Sequence, residues 1–416
     1  MNVEEASAPR PSSPYQEALT WLYTLQRFGI KLGLENIRRL IDSLRVDLSS
    51  ARVIHVAGTN GKGSVCAIID SICRAQGLRS GLFTSPHLVT FRERIRVNGE
   101  MISEEAVAGD LKRIREIVAD WDPHPTFFEI TTALALQHFS NSKTDVAILE
   151  TGLGGRLDAT NAVQPNVSVI TPIDLDHQEW LGESLEQIAG EKAGIIKPNV
   201  PVISAPQKVA AETVLKERAA ECEAPIQFVT DSYSQYPIAL NGNYQKNNAA
   251  IALAALRAAK IDINDDAIKR GLAQIEWLAR FQRWNESTII DGAHNPAAAR
   301  VLAETWRETF GDRRATLVLA ILSDKDLTGI CQALAPIADH ALLPRIRSER
   351  AANPQAIAKV VVDCGIKCQI VGTFAEALEK AGSRSAPILI TGSLHFAGEA
   401  LAHLQGKPAA FEECAQ

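Results

Sequence analysis

The chain has 416 residues, of which 46% are hydrophobic and 22% charged. At roughly 100–200 residues per domain, that length predicts two or three domains, each able to bury its own core. Forty-three basic against 49 acidic residues leave a net charge of −6, which argues against a dedicated nucleic-acid or membrane-surface binder, since both need a basic excess.

The opening stretch up to Tyr15 has neither a basic nor an apolar segment, so it reads as a short disordered lead-in and not as a secretory signal. A first helix is predicted from Ser13, with Pro14 at its first position and Gln16 completing a capping box. A second follows from Leu34, with Leu34, Ile37, Ile41 and Leu44 on one face. Strands are then predicted at Arg52–Ala57, Arg79–Thr84, Asp145–Glu150, Val167–Thr171 and Pro201–Ser204. Helices at Ser64–Gln76, Glu104–Ala119 and Phe127–Phe139 separate most of them. Strands alternating with helices build a mostly parallel, doubly covered sheet. Ile95–Ile102 departs from this as a hairpin turning at Asn98-Gly99. A second series of strands is predicted at Ser287–Ile290, Thr316–Ala320, His340–Leu343, Cys368–Val371 and Ile388–Thr391. Ile275–Glu286, of mixed charge and no clean period, reads as the connection between them. The expected organisation is α/β throughout, in two domains, 1–285 and 286–416.

No predicted helix spans a membrane: the longest helical apolar run, Ala249–Leu256, stops at Arg257, far short of the ~20 residues needed. The seven cysteines include no CxxC pair, and Cys364 and Cys368 are poorly spaced for a metal. They read as structural thiols in a reducing cytoplasm.

The strongest chemical signal is His55-Val56-Ala57-Gly58-Thr59-Asn60-Gly61-Lys62-Gly63-Ser64. A buried strand enters a glycine-rich turn and a helix opens, which suits phosphate: backbone N–H groups close around the oxygens and the helix dipole favours the anion. Lys62 would reach the outer phosphates and Ser64 the phosphates or a bound Mg²⁺. The spacing departs from the usual GxxxxGK[ST], so a glycine turn with an incidental lysine is the competing reading. Gly152-Leu153-Gly154-Gly155-Arg156-Leu157-Asp158 also follows a strand. It fails as a dinucleotide fingerprint and could be a flexible turn. If the sheet is parallel, Ser85, Glu150 and His177 converge on the edge that carries Gly58–Ser64. A hydroxyl, a carboxylate and an imidazole could hold Mg²⁺ there, although each alone has an ordinary structural reading. Lys192 alone reads as a salt-bridged helix lysine. Asp291, His294 and Asn295 could bind a substrate or cap the helix that Pro296 opens.

Together, GTNGKGS, TSPHL, TFFE, LETGLGGRLDATN, DHQEWLG, EKAGIIK and DGAHNP, in this order, resemble the folylpolyglutamate synthase/dihydrofolate synthase family, a branch of the Mur ligases. The resemblance covers about Tyr15 to Leu404. It implies a larger P-loop ATPase domain with a mostly parallel sheet, a smaller Rossmann-like carboxyl-terminal domain, and an active site between them. It implies ATP held by Gly61, Lys62, Gly63, Ser64, Asn248, Arg280 and Asp291. One or two Mg²⁺ ions would be held by Ser85, Glu150, His177 and Lys192, the last as a carbamate. The pterin or folate would lie against Ile30, Lys31, Leu32, Gly33, Thr126, Phe127, Phe128, Glu129, Leu157, Asp158 and Ala159. Lys62, Lys192 and His294 would serve catalysis. One departure stands out: Ala279 precedes Arg280-Phe281 where the family usually has glycine.

The implied activity is ATP-dependent addition of L-glutamate to 7,8-dihydropteroate and to reduced folates through an acyl phosphate. The implied protein is a cytoplasmic monomer that binds neither nucleic acid nor membrane. A monofunctional folylpolyglutamate synthase is one alternative. A Mur ligase acting on a UDP-linked cell-wall precursor is another, but it expects a further domain where about fifty residues precede Gly58. A non-enzymatic P-loop nucleotide sensor would leave the second domain's polar cluster without a purpose.

Overall fold

The computed structural model describes residues 13–28 and 33–413. The first capping box forms as expected, with the Ser13 hydroxyl accepting the Gln16 N–H and the Gln16 side chain accepting the Ser13 N–H. The second helix, Glu35–Leu44, buries Ile37, Leu40 and Leu44, while Ile41 sits at the edge of that face.

Eight strands form the first sheet: β1 (Arg52–Ala57), β2 (Ser80–Phe83), β3 (Ile95–Val97), β4 (Glu100–Met101), β5 (Val146–Glu150), β6 (Val167–Ile170), β7 (Val202–Ser204) and β8 (Ile226–Phe228). Their order is β4-β3-β2-β5-β1-β6-β7-β8. The six strands from β2 to β8 in that order are parallel, and β3 is antiparallel to both its neighbours. The predicted hairpin is thus an antiparallel extension of the sheet. Asn98 and Gly99 take φ of 53° and 84°, the left-handed pair that a two-residue hairpin turn requires. The short β8, only three residues long, is absent from the strands predicted above.

Helix Lys62–Gln76 begins two residues ahead of the predicted start, at the lysine of the glycine-rich turn. Ile68, Ile69 and Ile72 are fully buried between the sheet and helices Tyr244–Ala258 and Asp265–Gln274. Each such side chain contributes about 1.5–3 kcal/mol relative to exposure. The Ser71 hydroxyl donates to the Gly271 carbonyl at 2.7 Å, tying two of these helices together.

Six strands form the second sheet: β9 (Gln282–Arg283), β10 (Thr288–Ile290), β11 (Ala315–Leu319), β12 (Ala338–Pro344), β13 (Lys367–Val371) and β14 (Ile388–Thr391). Their order is β13-β12-β11-β14-β10-β9, parallel except for β9. The second sheet therefore begins at Gln282, inside the stretch read as a connection. Phe281 and Ala279 are buried in the apolar clusters on its two faces. Among the described residues, no helix is long and apolar enough to cross a membrane.

Candidate active site

The parallel register sets the site. Val56 lies opposite Glu150, Ala57 opposite Ile170, and Phe83 opposite Leu149. The loops leaving β1, β2, β5 and β6 therefore emerge on one edge, where open α/β sheets place ligands. Gly58 makes the first turn possible: its φ is +144°, and a Cβ there would lie 1.9 Å from the Thr171 hydroxyl. Thr59 and Asn60 donate their N–H groups to the Pro172 carbonyl at 3.0 and 3.2 Å, pinning the turn to the loop after β6.

Two lysines meet on this turn. Lys62 Nζ donates to the Gly58 and Thr59 carbonyls at 3.1 and 3.4 Å. Lys192, buried on helix Leu185–Ala193, donates to the same Gly58 carbonyl at 2.9 Å. Burial, reinforced by the charge of Lys62, pulls the Lys192 pKa down to about 7. Ser64 is buried at the helix start, its hydroxyl 3.5 Å from the Gln245 amide nitrogen. Asn248 is beside it, donating to Gln245 Oε1 at 2.8 Å.

Glu150 is buried at the end of β5 and accepts the Ser85 N–H at 3.2 Å. Burial pushes its pKa up, while Lys62 pulls the other way. Among the described residues, the buried Ser85 hydroxyl has no hydrogen-bond partner, an orphaned oxygen of the kind that a cation satisfies. His177, in the left-handed region at φ 51°, starts the short helix Gln178–Leu181. Among the described residues, no three His, Cys, Asp or Glu side chains cluster as a metal set. A hard cation here would draw on the Ser85 hydroxyl and a modified Lys192 as well as on Glu150 and His177, and oxygen-rich, sparse ligation of that kind fits Mg²⁺.

An aromatic wall stands beyond Glu150. Thr126 caps helix Phe127–Asn141, and Glu129 Oε2 accepts the Thr126 N–H and hydroxyl at 2.8 and 2.9 Å. Phe127 is stacked on Tyr23 with centroids 5.8 Å apart and meets Phe91 edge-on at 6.5 Å. The Arg94 guanidinium stands 5.4 Å from its centroid. Phe128 leans on Phe83 at 5.9 Å. Asp158 accepts the N–H groups of Gly152 and Leu153 on one oxygen, and the Thr160 N–H and hydroxyl on the other. Its carboxylate shapes the glycine cluster between Leu157 and the strand. Leu157, Ala159 and Gly33 line the same cavity, whereas Ile30, Lys31 and Leu32 lie outside the described residues.

The second sheet presents its own carboxyl edge to this one. Asp291, directly after β10, accepts the N–H groups of Phe281 at 2.7 Å and Ala293 at 2.8 Å. Those bonds fix the turn at Ala279-Arg280-Phe281, where Ala279 and Phe281 take φ of 54° and 44°. Where the family usually has glycine, the alanine is therefore left-handed. His294 Nδ1 bonds the Gly292 carbonyl at 2.9 Å, and its Nε2 faces Asp176 at 3.6 Å. Asn295 caps helix Pro296–Phe310 and donates to Asn60 at 3.1 Å and Asp176 at 3.0 Å. Lys325, after β11, bonds Asp176 at 2.9 Å with both side chains under a tenth exposed. Asp176 is held far below the usual carboxylate range: burial opposes this, and His294, His177 and Lys325 outweigh it. Asn60 lies inside the glycine-rich turn, where composition assigns it no role of its own, and the one sequence signal of Lys325 is its position in a loop after a strand.

Between the edges lies a cavity of ≈ 1300 Å³. Gly61–Ser64, Ser85, Thr126–Glu129, Glu150, Leu157–Ala159, His177, Lys192, Asn248, Arg280, Asp291 and His294 all line it.

Residues 56–224 match the family described as Mur ligase middle domain, and residues 279–394 match the Mur ligase glutamate ligase domain. The chain is 35% identical to the dihydrofolate synthase/folylpolyglutamate synthase of Escherichia coli (strain K12), over 93% of this chain and 94% of that one. The structure of Escherichia coli FolC in complex with DHPP and ADP superimposes with a TM-score of 0.85 at 33% identity, covering 96% of this chain and 99% of that chain. The bifunctional folylpolyglutamate synthase/dihydrofolate synthase from Yersinia pestis CO92, complexed with AMPPNP and a Mn ion, gives 0.85 at 32% identity over 96% and 100%. With both Mur ligase domains present and near full-length likeness in sequence and structure, the chain belongs to the dihydrofolate synthase/folylpolyglutamate synthase family of Mur ligases.

Proposed function

We propose that this chain is an ATP-dependent ligase that joins L-glutamate to 7,8-dihydropteroate, giving dihydrofolate, and to reduced folates, giving polyglutamates. The observation that carries this reading is the shared cavity: a phosphate-type turn, a candidate cation set and an aromatic wall on one side, and a glutamate ligase domain on the other.

A carboxylate is a poor acylating group because oxide does not leave. Its oxygen therefore attacks the γ-phosphorus of ATP, the bond to the β-bridging oxygen breaks, and ADP and an acyl phosphate form. Phosphoryl transfer asks chiefly for positioning and charge neutralisation. Lys62 and the N–H groups of Gly61–Ser64 supply both, with Asn248, Arg280 and Asp291 on the nucleotide side. The glutamate amine then attacks the acyl carbon, its proton is lost and phosphate departs. His294, on the cavity wall with its Nε2 at Asp176, is the side chain placed to handle that proton. Bound Mg²⁺ supplies charge neutralisation at the phosphates, and Ser85, Glu150, His177 and Lys192 are the side chains that would hold it. Lys192 is suited to carbamate formation, because burial beside Lys62 leaves much of its amine neutral near pH 7. Phe127 and Phe128, with Gly33, Thr126, Glu129, Leu157, Asp158 and Ala159, form the acceptor side, where a flat bicyclic ring finds aromatic faces. Closing the two units over the site excludes water from the acyl phosphate. The protein works as a monomer in the cytoplasm, its two units meeting just ahead of Ala279.

Mass spectrometry tests the substrates. Incubation with Mg²⁺-ATP and L-glutamate should convert dihydropteroate to a product heavier by one glutamyl residue, and tetrahydrofolate to a ladder of such additions. Product from tetrahydrofolate alone would establish the monofunctional synthase instead.

A further inference from the structure

After helix Leu394–Leu404, the chain crosses back to the first unit, beyond the residues matched by the glutamate ligase domain. Phe411 meets His395 edge-on at 5.1 Å, and Glu412 then reaches the loop that follows β2. Its carboxylate accepts hydrogen bonds from the Tyr15 hydroxyl at 3.1 and 3.2 Å, the Thr90 hydroxyl at 3.1 Å and the Phe91 N–H. Its own N–H donates to the Val89 carbonyl at 2.8 Å, and its carbonyl accepts His87 Nε2–H at 3.0 Å. Burial keeps the Tyr15 phenol protonated and so a donor.

We infer that Glu412 is a positioning residue: the strap it anchors holds the Ser85–Arg94 loop, and through that loop the Phe127 wall of the acceptor site. The links are continuous. With Nε2–H committed to Glu412, His87 presents Nδ1 as an acceptor, and Arg94 Nε donates to it at 2.9 Å. Arg94 stands over the Phe127 ring, and Phe91, whose N–H the carboxylate holds, meets the same ring edge-on. The second unit grips the loop from its other side as well. Leu88 and Val89 pack against its apolar core, and a Cβ on Gly398 would lie 1.9 Å from the Leu88 carbonyl, so only glycine lets that helix sit so close. A half-buried charged acceptor with three donors gives each bond more strength and direction than a neutral one. The loop is therefore fixed from the second unit, and movement of that unit is transmitted to the acceptor pocket.

This inference rests on the ligase reading for its substrate. Glu412→Gln keeps one acceptor oxygen but turns an NH₂ toward donors. We expect it to raise the KM for dihydropteroate about tenfold, the loss of a charge-assisted bond at 1.4 kcal/mol per decade, with the KM for ATP and kcat within about twofold and Tm within a few degrees. Tyr15→Phe/Thr90→Val, which removes two donors and leaves the strap intact, should move the same KM in the same direction. Amide hydrogen exchange over residues 87–94 reads the strap without turnover and should accelerate in both variants. If the wild type makes no product from either dihydropteroate or tetrahydrofolate, the ligase reading fails, while the exchange result still decides the strap. Unchanged exchange, or KM values for both substrates moving together with a large fall in Tm, would overturn the proposal.

Discussion

Lys62 and Lys192 share the Gly58 carbonyl, an arrangement that places two ammonium groups where one acceptor serves both. Like charge and burial make the Lys192 amine the weaker base, and conversion to a carbamate would turn the repulsion into attraction. Lys192→Ala should therefore lower turnover by about a hundredfold or more, on the scale of a lost charge-stabilising group, with partial recovery on adding short carboxylates. A fully active variant would exclude a carbamate. A second residue reports through pH. His55 is fully buried in β1, one ring nitrogen 2.8 Å from the Thr160 hydroxyl and the other unpartnered. Burial lowers its pKa to about 3. Between the unfolded value near 6.5 and about 3, the unfolded chain binds a proton that the folded chain refuses, so stability falls as pH falls through that window. His55→Gln should flatten the stability curve between pH 6 and 4 by up to about 1.4 kcal/mol per pH unit, measured by urea unfolding. An unchanged slope would mean that His55 is protonated in place.

At the scale of elements, the turn Ala279–Phe281 is held in the left-handed region by Asp291, by the Gly292 N–H on the Ala279 carbonyl, and by Gln282 on the Ala279 N–H at 2.9 Å. An alanine pays about 1–2 kcal/mol for that conformation and a β-branched residue more. Ala279→Gly should change stability by less than about 1 kcal/mol, the strain relieved being offset by entropy in the unfolded chain. Ala279→Val should cost more than about 2 kcal/mol, through backbone strain and crowding at a fully buried site. Equal stability of the two variants would remove the strain argument. The same elements show what the sequence makes legible. The β1 turn, the ends of β2, β5 and β6, and the hairpin at Asn98-Gly99 carry local signals of alternation and glycine placement, and parallel pairing follows from the intervening helices. β8 and β9 carry almost none: three and two residues do not establish a period, and their strand state comes from a neighbour's edge. Glu129 and Asp158, singled out as ligands, have their carboxylates occupied by a helix cap and a glycine loop. Composition cannot distinguish those uses, because the same oxygens serve both.

The two sheets of the whole molecule face each other through Asp176, which gathers Lys325, His294 and Asn295 from the second unit. Nothing in the sequence announces that junction, since its members are separated by more than a hundred residues and meet only once both folds exist. Among the described residues, Asp176→Asn leaves buried Lys325 with Asp324, at 3.5 Å, as its remaining carboxylate. Breaking a buried pair in this way costs about 3 kcal/mol or more. Calorimetry should show the unfolding transition broadening or splitting as the units uncouple, against an unchanged transition if the junction contributes little. In the cavity that the junction closes, nucleotide cleavage depends on both the acceptor and the amino acid. ADP release from the purified protein with Mg²⁺-ATP, omitting dihydropteroate and L-glutamate in turn, tests that claim most directly. Sustained ADP formation is expected only when both are present, whereas ADP release at the same rate without either would rule out a ligase cycle that consumes both.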